Sequence, residues 1–98
     1  MTSKEDHKAG HRQRLRARFM KSGPEALADY ELLELILFQA QPRGDVKPLA
    51  KSLIKKFGSF AEAVSAPTDR LQEMPGLGEA TIVALKSVQA AALKLSQG

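Results

Sequence analysis

The dominant pattern of this chain is the recurrence of apolar residues at three- and four-residue intervals, the spacing of one face of an α-helix. No stretch alternates apolar and polar residues for long enough to make a β-strand. We therefore expect an all-α fold, a compact bundle of five to six helices around one core.

Capping and chain-breaking residues set the predicted bounds of these helices. Asp29 and Asp45 are good N-caps, Ser59 with Glu62 has the sequence of a capping box, and Gly58 ends a helix. After a flexible tail over residues 1–7, the predicted helices cover residues 8–21, 30–39, 46–57, 60–64, 67–73 and 79–95. The second helix is apolar nearly all round, which places it at the centre of the core.

A glycine-bearing turn, Met74-Pro75-Gly76-Leu77-Gly78, separates the last two helices. Its glycines let the backbone turn sharply and approach another surface closely. The helix that follows begins with amide donors that have no partner within the helix, and the dipole there favours an anion. We therefore expect the backbone at Gly76, Leu77 and Gly78 to contact a nucleic-acid phosphate. The alternative is that the turn only reverses the chain between two helices.

This turn and its flanking helices resemble the helix-hairpin-helix family, whose modules bind DNA through backbone amides without reading its sequence. Residues 29–57 and 67–95 would form two such units, and a shift of 35 residues superposes apolar positions of the third and sixth helices. The resemblance implies a helix-hairpin-helix fold, with a paired, SAM/RuvA-like arrangement as an open variant.

Composition narrows the class of protein. The chain has 98 residues, which fit a single domain, and no Cys, which excludes disulfides and thiolate metal ligands. It contains no run of about 20 apolar residues, the length of a membrane span. Its polar N-terminus has no signal-peptide core. We therefore expect a cytoplasmic protein with no membrane partner.

The net charge of +4 is unevenly distributed. Residues 1–57 hold twelve Lys and Arg against seven Asp and Glu, whereas residues 58–98 hold three against four. Because Lys and Arg contacts dominate affinity for phosphates, the first half favours nucleic acid. The half that contains the hairpin does not.

Two runs of cations are candidates for phosphate contacts. The first helix carries six Lys and Arg and no acid over residues 8–21, and its like charges at i,i+4 repel, which favours an anionic partner. The third helix carries a lysine stripe opposite its apolar face. The candidate contacts are Arg12, Arg16, Arg43, Lys47, Lys51 and Lys55. The alternative is a solvated basic face whose arginines pair with Glu31, Glu34 or other acids of the fold.

The order of several motifs is similar to the N-terminal region of the RadC family of bacterial proteins. Besides the hairpin, these motifs are His11-Arg12-Gln13-Arg14-Leu15-Arg16-Ala17-Arg18-Phe19, Gly23-Pro24-Glu25-Ala26-Leu27, Asp29-Tyr30-Glu31-Leu32-Leu33-Glu34-Leu35 and Pro42-Arg43-Gly44-Asp45-Val46-Lys47-Pro48-Leu49-Ala50. Members of that family carry the name of DNA repair proteins and usually continue into a zinc metalloprotease-like domain of the JAB/MPN type. The resemblance therefore implies a DNA-repair-associated protein whose enzymatic domain is separate from this one.

The chain lacks the residues that such an enzymatic domain would need. It has no His-x-His pair. Its two histidines, His7 and His11, stand four apart, a spacing that could place both on one helical face to hold a metal. The alternative is that one of them belongs to the polar N-terminal tail, and no third ligand is apparent. We expect no catalytic residue, no metal, no cofactor and no small-molecule substrate.

These observations lead to one hypothesis and one alternative. The hypothesis is a single domain over residues 1–98 that binds the DNA backbone without sequence preference. The alternative is a protein-interaction module that positions a downstream JAB/MPN domain, in the same chain or in a partner, and binds no DNA itself.

Overall fold

The computed structural model describes the backbone of residues 4–98 and the side chains from residue 10 onward. Within this range the chain forms six α-helices and a one-turn 3₁₀ helix, Pro24–Ala26, and no β-strand. The helices are α1 (Lys4–Ser22), α2 (Asp29–Ala40), α3 (Lys47–Phe57), α4 (Phe60–Ser65), α5 (Thr68–Gln72) and α6 (Glu79–Gln97). The predicted all-α bundle is confirmed, while its assignment as helix-hairpin-helix stays a prediction. Residues 1–3 of the predicted tail lie outside the described residues.

Two predicted capping residues act as expected, and a third stands one position too early. The carboxylate of Asp45 accepts a hydrogen bond from the Lys47 amide at 3.0 Å, but the N-cap of α3 is Val46 and not Asp45. Gly58 follows the end of α3 with a φ of +105°, a conformation that favours glycine. The Ser59 hydroxyl then accepts from the Glu62 amide at 3.1 Å and begins α4.

Two predicted helix starts are wrong in detail. Asp29 is already the first residue of α2, and Ala28 precedes it as N-cap, its amide donating to Glu31 at 2.9 Å. The Asp29 carboxylate instead accepts from the Phe60 amide at 3.1 Å, the first amide of α4. Pro67 precedes α5 as its N-cap and is not within its first turn. The packing of α2 against α4 brings the Asp29 side chain to the start of α4.

The core lies where α2, α3, α4 and α6 meet, and α1 and α5 each add one side. Leucines make up most of its fully buried side chains, and each of them contributes about 1.5–3 kcal/mol relative to an exposed one. Those with no exposed surface are Leu33, Leu37, Leu53, Leu71 and Leu85. The predicted central position of α2 is confirmed for its buried side, while its other side is only half-buried.

The C-terminal half of α6 extends beyond this core. Ile82 and Leu85 of its predicted apolar stripe are buried, and Val88 is half-buried. Leu95 is 82% exposed, and all of residues 90–98 are exposed. No helix within the described part of the chain combines the length and the apolar character needed to cross a membrane.

Candidate nucleic-acid interface

The glycine hairpin, residues 74–78, is a turn seated on the core by its apolar side chains. Met74 and Leu77 are 8% exposed, and the Leu77 amide donates to the Met74 carbonyl oxygen at 3.3 Å. Gly76 has a φ of +89°, so Pro75 and Gly76 occupy the positions typical of a type II turn. The amide of Leu77 is therefore used within the turn, and Leu77 anchors the hairpin instead of donating to a ligand.

The two glycines of the hairpin stay at the surface. Gly76 and Gly78 are both exposed, and within residues 4–98 their amides have no recorded acceptor. Gly78 is the N-cap of the 19-residue helix α6, with its carbonyl oxygen accepting from Ile82 at 3.1 Å. Unpaired amides at the start of a helix favour an anion. Glu79 follows at once and is exposed, which places one negative charge at the same end.

A second turn, residues 41–46 between α2 and α3, lies beside the hairpin. The Gln41 side-chain amide donates to the Gly76 carbonyl oxygen and to the Thr81 hydroxyl, both at 3.1 Å. Leu49 on α3 approaches from the same side, since its Cδ1 would lie 3.8 Å from a Cβ at Gly76. We call this end of the molecule, residues 41–46 and 74–78, the two-turn end. Arg43 is exposed within it.

Arg12, a predicted phosphate contact, is built into the fold instead. It is 9% exposed, and its guanidinium donates to the Phe38 carbonyl oxygen at 3.3 Å and to the Gly44 carbonyl oxygen at 2.8 Å. The guanidinium carbon also lies 4.5 Å from the centroid of the Phe38 ring, in cation–π contact. Its donors thus hold α1 against the end of α2 and the following turn, so we remove Arg12 from the phosphate contacts.

Burial is the main influence on the Arg12 charge. Desolvation lowers the pKa of Arg12 from its ordinary value, and the neighbouring positive charge of Arg16 lowers it further. The carboxylates of Asp45 and Glu34 act in the opposite direction. A guanidinium stays protonated under all ordinary conditions, so Arg12 is a permanent buried cation.

The lysine stripe of α3 and the glycine hairpin lie on opposite edges of that helix. Lys51 contacts α2, its Nζ 5.0 Å from the centroid of the Tyr30 ring. Leu49 faces the hairpin, and residues two apart on a helix point about 200° apart. Lys47 begins the stripe at a cleft of about 100 Å³ that α1 forms with the second turn. Lys47 therefore lies beside α1 and the second turn, and exposed Lys55 extends the stripe away from them.

The remaining basic side chains of α1 divide between ion pairs and solvent. Arg18 forms an ion pair with Glu31, as the solvated-face alternative predicted, whereas Arg16 is exposed beside an apolar groove. His11 Nε2 donates to the fully buried carboxylate of Glu34 at 3.0 Å. The side chain of His7 lies outside the described residues, and within them no group of three or more His, Cys, Asp or Glu could hold a metal ion.

This arrangement of helices and turns can be compared with known proteins. The UPF0758 N-terminal family matches residues 7–83, most of the chain. The chain belongs to the UPF0758 family. The match corresponds to the N-terminal region of RadC-type proteins that the motifs of the sequence resemble.

Two UPF0758 relatives are more than half identical to the chain. A UPF0758 protein of Ruegeria pomeroyi is 53% identical over 87 residues, which are 89% of this chain and 39% of the relative. A UPF0758 protein of Rhodobacter capsulatus is 57% identical over 83 residues, 85% of this chain and 39% of the relative. The chain thus spans about two fifths of the length of these UPF0758 relatives. No solved structure matches it.

Two polar residues of this UPF0758 domain make contacts that the sequence alone did not predict. Glu34 was expected to pair with an arginine and pairs with His11, and Gln41 joins the two turns. Glu34 stands within the apolar run of α2, and that isolated charge is a signal of a buried pair. Gln41 precedes a Pro-containing turn and carries no comparable signal, because its acceptors lie 35 and 40 residues away.

Proposed function

We propose that this UPF0758 domain binds the DNA backbone without sequence preference, through its two-turn end. One observation supports the proposal above the others: the Gln41 hydrogen bonds that join the second turn to the hairpin. They bring the exposed cation of Arg43 to the end of the molecule where the amides of Gly76 and Gly78 are also exposed. Backbone amides and an arginine together provide the donors that a phosphodiester accepts.

Charge supports phosphate contacts on one side of Arg43 and opposes them on the other. On the α1 side, Lys47 stands at the cleft beside the second turn, and Lys51 and Lys55 continue the positive surface along α3. On the hairpin side, Glu79 opposes an anion. The arrangement therefore favours a phosphate backbone that crosses the second turn, with the glycine amides as one end of the contact and the lysines as the other.

The test is a titration of mixed-sequence duplex DNA with the intact chain at several salt concentrations. We expect affinity to fall steeply with salt, with a slope near 0.9 for each neutralised phosphate, so about 3 for Arg43, Lys47 and Lys55 together. Arg43→Gln is expected to reduce that slope by about one. An absence of binding at 50 mM salt, roughly the low end of such titrations, would remove the proposal.

A second candidate is the protein-interaction module that positions a downstream JAB/MPN domain, and a different surface supports it. Between α1 and α2 runs an apolar groove of about 420 Å³, lined by Phe19, Leu32, Leu35 and Ile36. Met20, on its rim, is 82% exposed. An exposed apolar surface of this kind is typical of a protein contact.

The docking candidate predicts a different result from the DNA proposal. In an NMR titration, the isotope-labelled chain would bind the part of the Ruegeria relative that lies beyond the matched region. The resonances of the groove residues would then shift. The uncharged substitution Met20→Gln would weaken that contact and leave DNA affinity unchanged. Loss of DNA affinity in Met20→Gln would show that the groove belongs to the nucleic-acid site instead.

A further inference from the structure

The second turn of the two-turn end has no regular secondary structure of its own, yet it presents the central cation of the proposed site. Three contacts fix it to the rest of the molecule. At its two ends, the Gln41 side chain donates to the hairpin and Val46 is buried in the core. Between them, Arg12 of α1 donates to the Gly44 carbonyl oxygen at 2.8 Å. Arg43 lies between Gln41 and Gly44.

We infer that Arg12 is a positioning residue for DNA binding, which fixes the second turn so that Arg43 faces the phosphate backbone. The inference rests on the proposed function and adds to it a role for α1. Arg12 never touches DNA in this arrangement, because its guanidinium is buried and its donors already serve Phe38 and Gly44.

The geometry of Arg12 explains why a lysine could not replace it. The guanidinium reaches two carbonyl oxygens from two different nitrogens, Nη1 to Phe38 and Nη2 to Gly44, while its plane contacts the Phe38 ring. A lysine ammonium is a compact charge that cannot stack in this way and donates from a single nitrogen. Arg12→Lys therefore keeps the net charge of +4 but releases the turn.

The residue that Arg12 holds is a glycine, so the hydrogen bond from Arg12 influences the conformation of the turn. Gly44 has a φ of +88°, a conformation in which glycine is free and other residues are strained. Once the Gly44 carbonyl oxygen is released, the short segment between Gln41 and the buried Val46 can adopt alternative conformations. Arg12 selects one of them, and with it the direction of the neighbouring Arg43 side chain.

The test is a double-mutant cycle between Arg12→Lys and Arg43→Gln, read as duplex affinity across salt concentrations. We expect each single variant to weaken binding by roughly five- to tenfold and to lower the salt slope by about one. The double variant should bind like Arg43→Gln alone, because Arg12 acts through Arg43. Purely additive losses, or an unchanged slope in Arg12→Lys, would overturn the inference.

Two further measurements separate this role from general stability and from the proposed function. Ser59→Ala is the control, since it removes a cap on α4, which forms no part of the two-turn end, and should leave the slope unchanged. Amide hydrogen exchange at residues 43–47 should accelerate in Arg12→Lys but not in Ser59→Ala. If Arg43→Gln does not alter DNA binding, the proposed function fails. If Arg43→Gln weakens binding and Arg12→Lys changes neither affinity nor exchange, only the inference fails.

Discussion

At the scale of single residues, the two hairpin glycines have different tasks. Gly76 adopts a φ of +89°, which a side chain disfavours, although a Cβ there would meet nothing closer than 3.8 Å. Gly78 has a φ of −85°, which any residue adopts, and open space around it. The turn therefore requires glycine at Gly76, while Gly78 is free to serve close approach to a ligand.

This difference predicts that alanine destabilises the fold at position 76 and not at position 78. Gly76→Ala should lower the free energy of unfolding by about 1–2 kcal/mol, the cost of a left-handed conformation. Gly78→Ala should change it by no more than about 0.5 kcal/mol, because the loss of a good N-cap residue opposes the reduced freedom of the unfolded chain. If the Gly78 amide contacts phosphate, Gly78→Ala should still weaken DNA binding. Chemical denaturation and DNA titration of both variants check this, and equal stability of the two would contradict the assignment.

A pH-dependent contribution to stability resides in Glu31. Burial alone would raise the pKa of Glu31. Hydrogen bonds from the Ala28 amide and from Arg18, together with the electrostatic influence of Arg18 and His11, lower this pKa below the ordinary value of 4.5. A carboxylate with a lowered pKa stabilises the fold above its unfolded pKa, and the contribution disappears as pH falls through the folded pKa.

Glu31→Gln should therefore lower the free energy of unfolding at pH 7 and not at pH values well below 4.5. We expect a difference of about 0.5 kcal/mol at neutral pH, small because Arg18 is nearly half exposed to solvent. Denaturation of both proteins between pH 7 and pH 3 measures it. A difference that stayed constant with pH would assign the effect to packing instead of charge.

At the scale of elements, helix lengths and faces could be predicted because they depend on neighbouring residues. The start of α4 at Ser59 and the end of α3 at Gly58 are set locally. The partner of Asp29 could not be predicted, because the Phe60 amide lies 31 residues away and no local pattern indicates it. The half-buried side of α2 could not be predicted for the same reason. An apolar pattern predicts a packing face but not how many helices cover it, because that depends on the tertiary structure.

The position of Asp29 makes a prediction about α4. Asp29 accepts from the Phe60 amide and Ser59 accepts from the Glu62 amide, so the two side chains satisfy different donors of one helix. Asp29→Ala and Ser59→Ala should each cost about 1 kcal/mol, and together less than about 2 kcal/mol, because both act on the start of one short helix. Hydrogen exchange should accelerate at Phe60 in the Asp29 variant, whereas faster exchange at the start of α2 would restore Asp29 to the role the sequence suggested.

At the scale of the whole molecule, the sequence indicated the parts of the proposed site but not their arrangement. Pro75 and the two hairpin glycines form a local signature, and charge counting located the basic half. The position of Arg12 could not be read, because its acceptors are backbone atoms 26 and 32 residues away. Charge alone therefore overestimated α1 and missed that the second turn lies between α1 and the hairpin.

This arrangement predicts that a negative charge matters by where it lies and not only by its contribution to the total. Glu79 follows the exposed hairpin directly, whereas Glu25 lies in the 3₁₀ helix after α1 and has no ion-pair partner among the described residues. Glu79→Gln and Glu25→Gln raise the net charge equally. If the two-turn end is the DNA site, Glu79→Gln should tighten duplex binding by roughly two- to fivefold at an ionic strength of about 0.1 M. Glu25→Gln should tighten it by much less, because the screening length there is only about 10 Å. Both variants should be titrated at matched ionic strength, with helicity followed by circular dichroism.

Equal gains would indicate attraction by the overall field of a basic protein. A gain confined to Glu25→Gln would move the DNA contact to the opposite end of α1.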